Sequence, residues 1–329
     1  MPQRSYPYAC ARLSALEKDL LTASQVKRMA ESTLEDVMRQ LLELRYGNLP
    51  DAQPTDIERM TDNMRIAAAE TVRELSPEPR LTDLFLIRTD VQNLKLLIKA
   101  RLLHQPDAVL AAGGLYDRDT LNRMVSEQDY RELPERIAAA LDRLETKLRI
   151  TVEPQLVSIA LDYGYLDHAL STARELKDPF AEQYFSALAD FDNVLTFLRM
   201  RAMGASKEDM KEAVLPEGGI SRRVLLDAYE FTADVLAKAL NGSVARREMA
   251  DGLNEMVVTG SIGTLEKARD NYLLSLVNAH RHDRMTIFPV IGYLIARDRE
   301  AKAVRLIVTA KRNGLDEGVI TERLRELYG

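Results

Sequence analysis

A pattern of twelve residues occurs three times in this chain, and it restricts the possible fold more than any other feature. Residues 90–101, 190–201 and 300–311 each read acid-x-x-(Asn or Ala)-aliphatic-x-x-apolar-aliphatic-x-(Ala or Met)-base, without a gap. A proline lies eleven residues before each window. Three ungapped copies at steps of 100 and 110 residues predict one helical unit that is used three times.

Each window is predicted to lie within a long helix. Proline is tolerated in the first helical turn, because the N–H that it lacks has no partner there. Glycine or proline then follows each window, at 104–106, 203–204 and 313–314, where the helix is expected to stop. Each helix would be about 22–25 residues, or roughly 33–37 Å long. The three prolines are Pro79, Pro179 and Pro289.

The polar positions of the window share one helix face. Asp90, Asn93 and Arg101 lie on the same side, and the acid and the base are three turns apart, so each needs a partner from elsewhere. That partner is either a neighbouring helix or a bound protein. The third copy has Ala303 in place of asparagine, which favours a scaffold over a triplicated catalytic site. The equivalent positions are Asp190, Asn193 and Arg201 in the second copy, and Glu300 and Lys311 in the third.

A second internal match sets the boundaries of the repeats. Gly-Gly pairs at 113–114 and 218–219 follow the basic ends of the first two windows. Neither has the G-x-G-x-x-G spacing or the lysine of a phosphate-binding loop, so both are predicted to be turns between helices. We expect an all-α protein with repeats at residues 1–112, 113–217 and 218–329. Shorter helices are predicted at 6–21, from a cap at Ser24, at 153–161, at 167–176 and at 222–240.

Composition and motifs argue against several classes of function. The net charge of −6 and the absence of tryptophan disfavour nucleic-acid binding. The longest apolar stretch, about 12 residues at 285–296, is shorter than the about 20 that a membrane span needs. His280 and His282 are the only close histidine pair, and the single cysteine lacks a companion, so a structural zinc site is not expected. We expect neither enzyme activity nor a cofactor.

The order of these motifs resembles the C subunit of the V/A-type rotary ATPases, a relative of the d subunit of the eukaryotic V-ATPase. The resemblance includes Tyr-x-Tyr-Ala-x-Ala-Arg at 6–12, the three windows, the Gly-Gly turns and residues 311–320. It implies three helical repeats arranged as a funnel around a pseudo-threefold axis. One copy would sit on the cytoplasmic face of the cell membrane, as a peripheral part of the complex. The alternative is a generic soluble helical scaffold unrelated to a membrane complex.

The resemblance also implies partners and a mechanical role. The central shaft, formed by the D and F subunits, would enter the funnel, and the funnel would rest on the membrane proteolipid ring. The chain would then couple ATP turnover to ion translocation without chemistry of its own, with the ion and the direction of ATP turnover left open. The last long helix is basic and either faces an acidic partner or is simply solvated. Its basic residues are Arg297, Arg299, Lys302 and Arg305.

Overall fold

The computed structural model describes residues 5–105, 108–230, 236 and 239–328. The chain forms two compact units. The first contains Met1–Thr89, Ala111–Leu115 and Leu274–Gly329, and the second contains Asp90–Leu110 and Tyr116–Leu273. The start and the end of the chain therefore belong to the same compact unit, while the three sequence repeats stay a prediction.

Helices and short 3-10 turns make up the regular structure, with no strand in the described ranges, so the all-α prediction is confirmed. In the first part of the chain the helices are α1 Tyr6–Leu16, α2 Ala23–Glu31, α3 Leu34–Glu43, α4 Ile57–Leu75 and α5 Pro79–Leu102. Next come α6 Arg118–Glu127, α7 Glu135–Leu148, α8 Pro154–Leu176, α9 Pro179–Ala202 and α10 Lys207–Ala213. The last are α11 Arg222–Ala228, α12 Arg246–Thr259, α13 Gly263–Asn278, α14 Phe288–Arg312 and α15 Glu317–Arg323.

The three long helices have the predicted length and position. Helices α5 and α9 have 24 residues and α14 has 25. Pro79 and Pro179 are the first residues of their helices, and Pro289 lies in the first turn of α14. The Asp178 side chain also caps α9 by accepting a hydrogen bond from the N–H of Ala181, at 2.7 Å. Proline and cap signals alone thus locate the helix starts to within one residue.

The shorter predicted helices differ in detail from those of the structure. Residues 153–161 and 167–176 belong to one continuous helix, α8. Its Gly164 allows close packing on α7, since a Cβ there would lie 2.8 Å from Ala140 Cβ. The first helix ends at Leu16, and the cap of α2 is Thr22, which forms a capping box with Gln25. The predicted continuous helix 222–240 is wrong, because α11 ends at Ala228 and residues 229–230 form a turn. Residues 231–235 and 237–238 lie outside the described residues.

Each compact unit has its own apolar core. In the first, α14 packs along α4, and their core includes Val304, Ile307 and Met60. In the second, α7 packs on α8, and α8 on α9. The aromatic rings of Phe185 and Tyr165 meet edge to face there, with centroids 6.3 Å apart. The long helices are therefore walls of the core, and their polar window positions must be accommodated inside it.

Candidate functional site

The acid of each repeated window is buried and accepts a backbone N–H. In the second window, Asp190 Oδ1 accepts hydrogen bonds from the N–H groups of Gly219 and Ile220, both at 2.9 Å. Asp190 is fully buried. A buried carboxylate needs such donors. The Gly-Gly turn is required for this contact, because a Cβ on Gly218 would lie 2.2 Å from Ser186 O and 2.5 Å from Asp190 Oδ1.

The acids of the other two windows also face a backbone N–H group just before a short helix. The N–H of Tyr116 points to Asp90 Oδ1 at 3.4 Å, and the N–H of Leu21 donates to Glu300 Oε2 at 2.7 Å. Tyr116, Ile220 and Leu21 each stand two residues before the first residue of a short helix, which is α6, α11 or α2. We call these three contacts the first, second and third carboxylate anchors, from Asp90, Asp190 and Glu300 respectively.

The residue after each anchored N–H caps the short helix. The side chains of Asp117, Ser221 and Thr22 accept hydrogen bonds from the N–H three residues further on. An N-cap side chain satisfies a helix-end donor that would otherwise lack a partner. Cap and anchor together fix where the short helix begins. The anchor is thus a positioning contact between a long helix and the start of a short one.

The asparagine of the second window holds the loop that follows α10. Asn193 Oδ1 accepts a hydrogen bond from the N–H of Leu215 at 2.9 Å, and its Nδ2 donates to Pro216 O at 3.3 Å. Asn93 is buried in the first window, 3% exposed. Both side chains lie inside the protein, so neither is presented to a partner in the isolated chain.

The third anchor contains a buried ion pair. Arg297 Nη1 lies 2.9 Å from Glu300 Oε1, and both side chains are almost fully buried. The Arg297 guanidinium also donates to Asp19 O and to the Tyr293 hydroxyl, each at 3.2 Å. The chain segment just before α2 is therefore held by two residues of α14, Glu300 and Arg297.

The bases of the first and third windows donate hydrogen bonds to carbonyl groups further along the short helices. Arg101 Nη1 donates to Val125 O at 2.8 Å, and Lys311 Nζ donates to Ala30 O at 2.7 Å. Both acceptors stand seven residues after the first residue of their helix. Arg101 also forms a two-pronged contact with Glu145, with both N–O distances 2.7 Å. Arg201 is exposed, and its guanidinium lies 5.7 Å from the centre of the Phe197 ring.

Burial affects the ionisation of two of the anchoring acids. It raises the pKa of Asp190, although the N–H groups of Ile220 and Gly219 act in the opposite direction. Burial likewise raises the pKa of Glu300, against the opposing charge of Arg297 and the N–H of Leu21. Loss of solvation thus outweighs the favourable contacts in both cases. Structural ion pairs perturb pKa values in this way without any catalytic role.

The basic strip predicted on the last long helix is only partly a surface feature. Arg297 is 4% exposed, so its assignment as a partner contact is corrected: its charge serves the third anchor. Arg299 donates to Glu326 O at 2.8 Å, Lys302 lies 2.6 Å from Asp298, and Arg305 lies 2.9 Å from Glu58. Lys302 and Arg305 are largely solvated, at 65% and 45%.

Within the described ranges, no group of three or more His, Cys, Asp or Glu residues is placed to hold a metal ion. None of the described helices is both long and apolar enough to cross a membrane. Sequence reasoning missed a half-buried charge cluster in α9 and α13. There, Arg269 lies 2.6 Å from Asp192 and 3.0 Å from Asp270. Asp192 and Arg269 are 77 positions apart, so the sequence around either residue gave no indication of their contact.

Comparison with known proteins agrees with the resemblance noted in the sequence. A family model described as the ATP synthase (C/AC39) subunit matches residues 9–323. The C subunit of the A-type ATP synthase of Pyrococcus abyssi is 23% identical, over 98% of this chain and 90% of that protein. The C subunit of the V-type sodium ATPase of Enterococcus hirae is 22% identical, over 95% of each chain. The C subunit of the A-type ATP synthase of Methanothermobacter thermautotrophicus is 26% identical, over 97% and 87%.

These matches extend over nearly the whole chain, including all three windows. The prediction that the chain is not an enzyme is confirmed, because the family is a non-catalytic component of its complex. The chain belongs to the ATP synthase (C/AC39) subunit family, which contains the C subunits of A/V-type ATP synthases.

Proposed function

We propose that this chain is the rotor socket of an A/V-type ATPase. It would receive the central shaft, formed by the D and F subunits, and rest on the membrane proteolipid ring at the cytoplasmic face of the cell membrane. One copy would serve each complex, as a peripheral subunit. In this role it transmits torque, so that ATP turnover and ion translocation stay mechanically linked. The three repeats, at residues 1–112, 113–217 and 218–329, would surround a pseudo-threefold axis as a funnel.

The carboxylate anchors are the observation that carries this proposal. Each joins the long helix of one predicted repeat to the first short helix of the next: Asp90 to Tyr116, and Asp190 to Ile220. The third joins Glu300, near the end of the chain, to Leu21, near its start. A series in which the last member connects back to the first supports a closed arrangement of three repeats.

The chemistry of the anchors suits a part that transmits torque. Buried polar contacts fix one geometry, because breaking one leaves an unsatisfied group inside the protein. An exposed ion pair would yield more easily, since solvent competes for both partners. Three anchors placed in the cores of the repeats would resist twisting without a reactive group. This fits a stiff coupling between two other proteins.

Removal of the chain from its complex tests the proposal. Membranes that lack this chain are expected to retain the ring, and the soluble ATPase sector should still hydrolyse ATP. ATP-driven ion transport should be lost, and adding the purified chain back should restore it. The two activities are measured on the same preparation, with an unmodified complex as the control. Normal ion transport in membranes without the chain would refute a coupling role.

Three basic residues of α14, of which Arg299 is half-buried and the other two are exposed, extend the proposal to partner binding. We propose that Arg299, Lys302 and Arg305 face an acidic surface of the shaft or ring. Charge reversal at Lys302 and Arg305 should weaken assembly more at low salt than at high salt, because exposed charges are screened. Lys27→Glu is a matched control, since Lys27 is 76% exposed on α2. Equal assembly of all variants would leave the strip as a solvated face.

The other interpretation of the sequence is a generic scaffold unrelated to a membrane complex. Family membership counts against it, because the matching proteins are ATPase subunits. Co-purification gives a direct check: the tagged chain should bring down the shaft subunits together with a small, very hydrophobic ring protein. Recovery of the chain with soluble partners alone would favour the scaffold.

A further inference from the structure

The segment that follows α15 runs back along α14. We call residues 324–328, which have no regular secondary structure, the strap. Its two leucines pack against the apolar core of the first compact unit. Glu326 O accepts a hydrogen bond from Arg299 Nη1 at 2.8 Å, and Tyr328 then lies against Gly292. Because Gly292 comes earlier in α14 than Arg299, the strap is antiparallel to this helix.

Tyr328 occupies a close-fitting seat on α14. Its side chain is 8% exposed. A Cβ on Gly292 would lie 2.7 Å from the Tyr328 hydroxyl oxygen and 3.0 Å from its Cζ, so glycine is needed to leave room for the ring. The guanidinium of Arg281, in the turn before α14, lies 5.5 Å from the ring centre. A cation at this distance from a tyrosine ring attracts it, so the seat holds the ring on two sides.

The hydroxyl of Tyr328 reaches the 3-10 turn that follows α1. It donates a hydrogen bond to Glu17 Oε1 at 3.4 Å, between residues 311 positions apart. Burial raises the pKa of Glu17, although the charge of Arg281 acts in the opposite direction. A carboxylate that has lost solvation in this way needs hydrogen-bond donors. The strap therefore contacts α14 and the turn at the end of α1 at the same time.

Helix α1 contributes little buried apolar surface to the first compact unit. Of its eleven residues, the buried ones are Ala9, Cys10 and Leu13. The Cys10 thiol donates to Arg284 O at 3.1 Å, in the turn before α14, and the Tyr6 hydroxyl donates to Glu78. By contrast, α2, α3 and α4 share one apolar core with α14. An element with little buried apolar area opens at a lower free energy than the core does.

We propose that the strap is a releasable lock on α1. With Tyr328 in its seat, α1 is held against α14. When Tyr328 leaves the seat, α1 detaches while the core of the first compact unit stays folded. The two states differ in a small number of contacts, so a change at the strap shifts their populations. This inference does not depend on the proposed function, because all of these contacts lie within the first compact unit.

The single cysteine of the chain makes detachment of α1 measurable. Cys10 is 3% exposed, and burial raises the pKa of its thiol, so the thiol reacts poorly while α1 is in place. Its rate of reaction with a maleimide therefore reports the detached state. Tyr328 does not line the cavity of about 280 Å³ beside the thiol, so loss of this ring does not widen that cavity. Amide hydrogen exchange of α1 is measured on the same variants.

Tyr328→Ala should speed thiol labelling by about tenfold or more, because burial of the ring and its hydrogen bond are lost. Amide exchange of α1 should rise, and exchange of α3 and α8 should not. The control is Leu315→Ala, which removes an apolar side chain that is 43% exposed between α14 and α15 and should label like the natural chain. Equal labelling of Tyr328→Ala and the natural chain overturns the inference. So does an equal rise in the exchange of α3, since the unit would then open as a whole.

Gly292→Ala tests the seat from the side of α14. Its Cβ displaces the ring, so labelling should become faster even though alanine is the better helix former. In the Tyr328→Ala background the same substitution should leave the rate unchanged or lower it, because no ring remains to be displaced. The four chains form a double-mutant cycle. An acceleration of the same size in both backgrounds would mean that Gly292 acts independently of Tyr328, and it would overturn the inference.

Discussion

The second and third carboxylate anchors perform the same task with different chemistry. In the second, Asp190 accepts two backbone N–H groups from the Gly-Gly turn, and no other charge takes part in the contacts described. In the third, Glu300 accepts one backbone N–H and pairs with Arg297, which itself reaches back to Asp19 O. The shared element is a buried carboxylate opposite the start of a short helix.

This comparison shows which part of a repeat has to be retained. A carboxylate facing an N–H at a fixed place is present in each of the three windows, whereas the surrounding groups differ. Arginine three residues before the acid occurs at Arg297, while the equivalent positions are Ile87 and Ala187. In the third anchor, the longer side chain of Glu300 and the added base Arg297 contact the start of a short helix that is distant in the sequence. Geometry, not residue identity, is what the copies have in common.

The largest effect is expected from Arg297→Met. It leaves Glu300 buried without its opposite charge, which costs about 3–5 kcal/mol of unfolding free energy for pairs of this kind. Urea denaturation followed by circular dichroism measures the change. The double variant Arg297→Met with Glu300→Gln should recover much of the loss, because the unpaired charge is gone and the amide oxygen can still accept the Leu21 N–H. A double variant less stable than Arg297→Met would contradict this account.

Asp190→Ala should destabilise the second anchor by a smaller amount. It leaves the N–H groups of Gly219 and Ile220 buried, at about 1–3 kcal/mol for each unsatisfied group. It also removes the cost of burying the carboxylate, which is what raises the pKa of Asp190, so we expect the total to stay below that of Arg297→Met. The matched control is Asp251→Ala, an exposed helical aspartate, for which a change within about 0.5 kcal/mol is expected. If both alanine variants unfold at the same urea concentration, the second anchor is not a stabilising contact.

The sequence was sufficient to predict the acid of each anchor, but it gave no indication of the backbone N–H group that the acid accepts. The acids could be found because they recur at fixed spacing on helices with clear start and stop signals. Their partners are backbone N–H groups, which every residue except proline supplies, so Tyr116, Ile220 and Leu21 share no side-chain feature. Only the folded chain brings them opposite the acids. The link from Glu300 to Leu21 is the extreme case, because its partners are 279 positions apart in the sequence.

Ion pairs could be predicted from the sequence only where the two charged residues are close to each other in the sequence. Arg297 was assigned to a basic surface because Arg299, Lys302 and Arg305 follow it, yet Glu300 stands three residues away on the same helix face. An i,i+3 pair of opposite charges was a visible alternative. By contrast, the pairing of Arg101 with Glu145 joins residues 44 positions apart. Its prediction would have required the packing of α5 against α7.

A pH series sharpens the comparison further, with Glu300→Gln as the reference variant. Burial raises the pKa of Glu300 above its ordinary value of 4.5. An acid whose pKa is higher in the folded state contributes stability below its unfolded pKa and loses it as pH rises through the folded pKa. The glutamine does not titrate. The stability of the natural chain relative to Glu300→Gln should therefore fall as the pH rises above about 4.5, the ordinary pKa of a glutamate. A difference that grows over this range would reverse the sign and exclude burial as the dominant effect.

The smallest effect is expected at the basic end of the third window. Lys311→Met removes one hydrogen bond, to Ala30 O, and should cost about 0.5–1.5 kcal/mol. Arg101→Met in the first window should cost more, because it also leaves Glu145, 8% exposed, without the guanidinium that contacts both its oxygens. Methionine keeps most of the apolar stem in both variants, so the difference reports the polar contacts. Thermal unfolding of the two variants side by side measures it. Equal destabilisation by Lys311→Met and Arg101→Met would contradict this ranking. It would mean that these two bases stabilise the fold through the hydrogen bond to the short helix, and that the ion pair with Glu145 adds little.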